Sequence, residues 1–117
     1  MENIIVKTAV KALDEKKATD IKVLKIDDLT VLADYFIICH GTSSTHVKTL
    51  ADECEYAVEK QGINVKHREG MDARNWVLLD YGDVIIHVYN KETRDFYNLE
   101  RFWSDSTEID VNEILGK

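Results

Sequence analysis

The sequence predicts an α/β (α+β) fold in which one mixed β-sheet carries helices packed on it, and three observations lead there. Helical and strand periodicities are interleaved along the 117 residues in the order α-β-β-α-β-β-β-α. The run Tyr35–Cys39 is apolar without alternation, which predicts a strand covered on both faces. The apolar runs 76–80 and 83–89 are joined across Tyr81-Gly82, a tight hairpin that makes at least one strand pair antiparallel.

The elements follow in order. Ile5, Ala9, Ala12 and Leu13 recur at helical spacing, so residues 3–16 read as a helix. The β-branched stretch 21–27 reads as a strand, closed by the polar break Asp27, Asp28 and Thr30. Residues 34–41 form the next strand. The segment Gly41–Thr45 then offers several helix N-caps, and the helix runs to about Gln61. Val47, Leu50, Ala51, Cys54 and Val58 share its apolar face, and Gly62 stands where a left-handed C-terminal cap belongs. Residues 63–69 predict a short polar strand near a sheet edge, and 91–103 a last helix. A stretch from Ser104 onward is polar and acidic, with Ile109, Val111, Ile114 and Leu115 scattered through it. Two arrangements fit it, a docked turn of helix or a disordered tail. The organisation expected is one domain over 1–105 and an acidic tail over 106–117.

Composition narrows the function. The net charge is −7, whereas gripping nucleic acid requires clustered Lys and Arg. An acidic domain is better suited to a basic protein surface. Cys39 and Cys54 form no CxxC pair and lie in apolar patterns, the usage of buried thiols in a reducing cytoplasm. The N-terminal stretch has the pattern of neither a signal peptide nor a membrane span.

Few residues are placed for chemistry. The segment Gly41–Ser44 opens a helix and so offers N–H groups to an anion; plain N-capping by Thr42, Ser43 or Ser44 is the simpler account. A nucleotidyl-transferring enzyme would need two or three carboxylates converging on metal, commonly an Asp-x-Asp pair on a strand. Asp52-Glu53 and Asp27-Asp28 are adjacent, and a turn separates Asp80 from Asp83, so no such pair is present. His40, His46, His67 and His87 include no zinc-type i, i+4 pair, and His87 reads as a hydrogen-bonded core or sheet-face histidine. Cys39 and His40 are adjacent on a strand, face opposite sides and cannot serve as nucleophile and base. No catalytic, metal or cofactor residues are assigned.

Aromatic residues instead concentrate late in the chain: Tyr89, Phe96, Tyr97, Phe102 and Trp103. Helical spacing puts Phe96, Leu99 and Trp103 on one stripe facing the sheet, and Tyr97 with Arg101 on another. One stripe cannot bury every aromatic, so part of the set is left beside Arg94, Glu100 and Arg101, the composition of an interface hot spot. A second copy of the chain covering these aromatics, a homodimer, is the rival account.

Three blocks, "ADYFIICHGTSSTHVKTLAD", "REGMDARNWVLLDYGDVIIHVYN" and "TRDFYNLERFW", resemble the ribosomal silencing factor (Iojap-related) family over about residues 5–105. Where the family often has Arg before the helix-start histidine, this chain has Thr45. The resemblance implies a nucleotidyltransferase-like fold without transferase activity and without a cofactor. It implies binding to the fourteenth protein of the large ribosomal subunit. That protein would form part of a bridge to the small subunit, and occupying the bridge would keep the subunits apart and lower translation in the cytoplasm. By position in the matching blocks, the partner-binding residues are Trp76, Asp80, Tyr81, Arg94, Tyr97, Glu100 and Trp103. Trp76 and Tyr97 would supply contact area, and Asp80 and Glu100 would pair with basic side chains. Arg94 would instead fix the helix to its own domain. The alternative is a nucleotide-binding or nucleotidyltransferase-type enzyme using Gly41–Ser44.

Overall fold

The computed structural model describes residues 3–117. Asn3 caps helix α1 (Ile4–Glu15), its Oδ1 accepting from the Ile5 and Val6 N–H groups. Strands β1 (Thr19–Lys25) and β2 (Tyr35–Gly41) pair antiparallel. Helix α2 (Ser44–Glu59) follows, and then strands β3 (His67–Glu69), β4 (Trp76–Asp80) and β5 (Val84–Asn90). Helices α3 (Lys91–Tyr97) and α4 (Leu99–Phe102) come next. Strand β6 (Thr107–Ile109) and helix α5 (Val111–Leu115) end the chain.

The sheet order is β3-β4-β5-β2-β1-β6. β2 and β5 are parallel and α2 lies in the connection between them, whereas the other pairs are antiparallel. Alternation along the strands divides the core in two. Val23, Ile37, Cys39, Val77, Leu79, Ile86 and Val88 face α1 and α2. Leu24, Ile26, Phe36, Ile38 and Tyr89 form a smaller cluster on the other side, where Leu99 and Trp103 pack against them. β2 is therefore covered on both faces, as its unbroken apolar run predicts. Each fully buried Val, Leu or Ile contributes about 1.5–3 kcal/mol, so the strands and the apolar faces of α1 and α2 stabilise the fold together.

The elements depart from expectation in three places. β1 begins two residues early and bulges between Thr19 and Lys22, with Asp20 at φ 51°. Only His67–Glu69 of the expected strand 63–69 pairs, as an exposed edge, while Ile63 and Val65 pack on the core. The helix expected over 91–103 is broken at Asn98, whose left-handed backbone (φ 47°, ψ 60°) ends α3 and begins α4. Of the two arrangements weighed for the residues after Ser104, the docked one is found. β6 pairs with β1, and Ile114 is buried in the α1-side core.

The loop before β4 carries a backbone requirement. Gly70 sits at φ +83°, and a Cβ there would lie 1.9 Å from the Trp76 carbonyl oxygen. Gly70→Ala is expected to cost roughly 2 kcal/mol or more and to displace Trp76. Urea unfolding followed by tryptophan fluorescence would show both an earlier midpoint and an altered native emission.

Candidate functional site

The helix break at Asn98 shapes the late aromatic cluster. Asn98 tolerates the left-handed region better than most residues, and its Oδ1 accepts from the Arg101 N–H at the start of α4. The interruption shifts the helical register, so Leu99 and Trp103 turn to the sheet while Phe96 and Phe102 turn outward. Phe96 is 80% exposed and Phe102 76%, and Tyr97 is 54% exposed beside them. The expectation that Phe96 faces the sheet is thus corrected: its stripe was drawn along a continuous helix.

Arg94 holds this segment to the sheet. Its side chain is 4% exposed. Its Nη1 donates to His40 Nδ1 at 2.9 Å and to the Thr19 carbonyl at 3.3 Å, and its Nε donates to Glu100 Oε2 at 3.2 Å. Asp20 Oδ2 lies 3.6 Å from Nη2. One guanidinium therefore ties α3 to α4 and to the β1 bulge. Burial, and then the Arg94 charge, hold the His40 pKa below its usual value, consistent with a neutral ring accepting from arginine.

Trp76 backs the exposed set from β4. Its ring lies 4.9 Å from Tyr97 and 5.1 Å from Tyr89, and Phe96 meets Tyr97 edge-on at 5.0 Å. The Trp76 indole N–H donates to His87 Nδ1 at 3.0 Å. The indole can only donate, so Nδ1 carries no proton and His87 is neutral. Burial lowers the His87 pKa from 6.5 to about 4. A histidine depressed in the folded state binds fewer protons there than when unfolded. Its stabilising contribution is full above pH 6.5 and is lost as pH falls toward 4. Roughly 3 kcal/mol should disappear across that window, and His87→Gln should flatten the loss while keeping an acceptor for the indole. Denaturant midpoints between pH 7 and 4 would measure the difference between the two proteins.

A family model described as ribosomal silencing factor during starvation matches residues 2–117. The ribosomal silencing factor RsfS of Bacillus subtilis is 44% identical over 108 residues, 92% of either chain. That of Halalkalibacterium halodurans is 38% identical over 112 residues, 96% of either chain. The chain belongs to the ribosomal silencing factor family. A crystal structure of a protein from Chromobacterium violaceum is similar with a TM-score of 0.83 and 36% identity, covering 86% of this chain and 83% of that one.

The residues assigned by resemblance to the silencing factor family divide into three groups. Trp76 and Tyr97 meet at the accessible cluster. Arg94, Glu100 and Trp103 lie beneath it: Glu100 is half-buried against Arg94, and Trp103 packs edge-on against Phe36 at 5.5 Å. Arg94 thus fixes the helix to its own domain. Asp80 and Tyr81 lie at the far end of β4, about 13 Å along the strand from Trp76. Asp80 Oδ1 accepts from the Gly82 N–H at 2.7 Å and shapes the hairpin turn. Tyr81 is 3% exposed within the α1-side core, and burial pushes its pKa up. With so little of it accessible, Tyr81 reads in this structure as a core residue rather than a contact residue. Neither Phe102 nor Phe96 is among the residues that the resemblance assigns to the site. An asparagine in mid-helix was the available signal for the break that exposes them.

The start of α2 is occupied by its own residues. Ser43 Oγ accepts from the His46 N–H at 3.0 Å, and the Thr42 N–H donates to His46 Nδ1 at 2.9 Å. His46 Nε2 donates to the Lys16 carbonyl at 2.8 Å. These bonds satisfy groups that a phosphate would otherwise take. Cys39 faces the α1-side core, with its thiol pushed up to about 12 by burial, while His40 faces Arg94 on the other side. Among the described residues, no group of three His, Cys, Asp or Glu side chains converges as a metal site would, and no helix is long and apolar enough to cross a membrane.

Proposed function

We propose that this chain represses translation by binding the large ribosomal subunit in the cytoplasm and sterically preventing the small subunit from joining. The reading rests on membership of a family whose relatives are named ribosomal silencing factors. The partner is the fourteenth protein of that subunit, held through the exposed cluster of Phe96, Tyr97 and Phe102. Trp76 supports Tyr97 from behind, and the Arg94–Glu100 pair fixes the helices that carry the cluster. The single observation that favours this face is the exposure of three neighbouring aromatics on a segment clamped by a buried arginine. Rigid aromatics give large contact area at small entropic cost, the usual make-up of an interface hot spot. The −7 charge complements a basic ribosomal protein and disfavours naked ribosomal RNA. The mechanism is occupation of a bridge, so it uses no cofactor, no metal and no covalent step.

The test is binding to the isolated partner. Purified fourteenth protein and this chain should co-elute as a heterodimer from a sizing column, and nucleotides with magnesium should leave the chain's thermal midpoint unmoved. Separate elution at micromolar concentrations would contradict the proposed partner. Saturable stabilisation by a nucleoside triphosphate would favour the enzymatic alternative.

A further inference from the structure

Three large apolar side chains are exposed within four residues of the loop between β1 and β2: Leu29 at 45%, Val31 at 103% and Leu32 at 66%. Exposure here is built in. The Leu29 and Thr30 N–H groups donate to the Ile26 carbonyl at 2.9 and 3.2 Å, and the Leu32 N–H donates to Thr30 Oγ1 at 3.1 Å. Ala33 anchors the loop in the smaller core cluster, and the Asp34 N–H donates to the Asp83 carbonyl at 2.8 Å. The backbone is thus fixed while three apolar side chains point into water, each forgoing the benefit of burial. Preorganised display of this kind lowers the entropic cost of docking.

The surroundings state what would dock. Asp27, Asp28 and Asp34 flank the apolar residues on the loop, and Asp83 abuts it from the β4–β5 turn. Among the described residues, these four carboxylates make one ion pair, Lys25 to Asp27 at 3.8 Å. Asp83 also accepts from the Asn3 amide at 3.3 Å. An apolar tip rimmed by carboxylates complements an apolar recess rimmed by lysine and arginine, and it is repelled by phosphate-rich RNA and by anionic lipid.

We infer that the 28–34 loop is a second docking element, inserting Val31 and Leu32 into an apolar recess on a basic protein surface of the large ribosomal subunit. This rests on the proposed ribosome-binding reading and adds to it a contact outside the aromatic cluster. The acidic rim orients the loop, and the apolar tip supplies the contact area.

The test compares four proteins for affinity to immobilised large subunits: wild type, Val31→Ser with Leu32→Ser, Asp28→Lys with Asp34→Lys, and Tyr97→Ala. The serine pair removes exposed groups only and should leave the thermal midpoint within a degree or two. Expected is a loss of affinity of about tenfold for the serine pair, and a weakened salt dependence for Asp28→Lys with Asp34→Lys. Unchanged affinity in the serine pair, alongside loss in Tyr97→Ala, overturns the loop contact and leaves the ribosome-binding reading standing. Failure of the wild type to bind overturns both. Unchanged affinity combined with a dimer-to-monomer shift in the serine pair assigns the loop to self-association and overturns the proposal. Flotation of the wild type, but not the serine pair, with phosphatidylcholine vesicles overturns it in favour of a lipid surface.

Discussion

Arg94→Ala is expected to cost roughly 3–5 kcal/mol of folding stability, the largest loss from any single polar side chain in this protein. The arginine is buried, so its removal strands a half-buried Glu100 carboxylate and takes a donor from His40 and from the Thr19 carbonyl. The exposed Asp20 contact adds little, because water screens it. For a chain of this size the loss corresponds to a fall of roughly 10–20 °C in the thermal midpoint. Lysine restores the charge but lacks the planar fork that reaches three acceptors, so Arg94→Lys should recover only part. Calorimetry of the three proteins measures this. A midpoint within two or three degrees of wild type for Arg94→Ala would show that the clamp is dispensable. Because Arg94 also holds α3 and α4 in place, ribosome binding should fall with stability in both variants.

Tyr97→Ala combined with Phe96→Ala is expected to behave in the opposite way, weakening large-subunit binding by about a hundredfold with little change in stability. Both side chains are more than half exposed, so truncation removes little intramolecular packing beyond the Tyr97 contact with Trp76. The contrast separates the two layers of the site. In the proposed function Arg94 and Glu100 act through the fold, whereas Phe96 and Tyr97 would meet the partner. Affinity and thermal midpoint measured on the same preparations give the two readouts, and a double variant that binds like wild type would move the interface elsewhere on the molecule.

Much of this was legible in the sequence because the signals were local. The unbroken apolar run of β2, the Tyr81-Gly82 turn and the α2 face each follow from spacing alone, and each is found. His87 read correctly because a histidine inside an apolar run needs a hydrogen-bond partner, and Trp76 provides it. The failures share a cause. Phe96 faces away from the sheet that Leu99 and Trp103 meet, because one helical stripe cannot run through Asn98, whose left-handed backbone changes the register between α3 and α4. The resemblance puts Tyr81 among the contact residues, yet its ring folds under into the α1-side core, which no local pattern reveals. The β1 bulge and the Arg94 clamp depend on residues 75 positions apart, and spacing along the chain carries no record of such a contact. β6 needed the open edge of β1 to pair with, so three mostly polar residues became a strand for tertiary reasons.

The central claim, that this chain keeps ribosomal subunits apart, is tested most directly by sedimentation of purified subunits through a sucrose gradient at a magnesium concentration that permits joining. With the protein added, it should travel with the large subunit and the joined peak should shrink, while the Phe96→Ala, Tyr97→Ala protein leaves that peak intact. A joined peak undiminished when the protein saturates the large subunit, or protein that remains at the top of the gradient, would contradict the account.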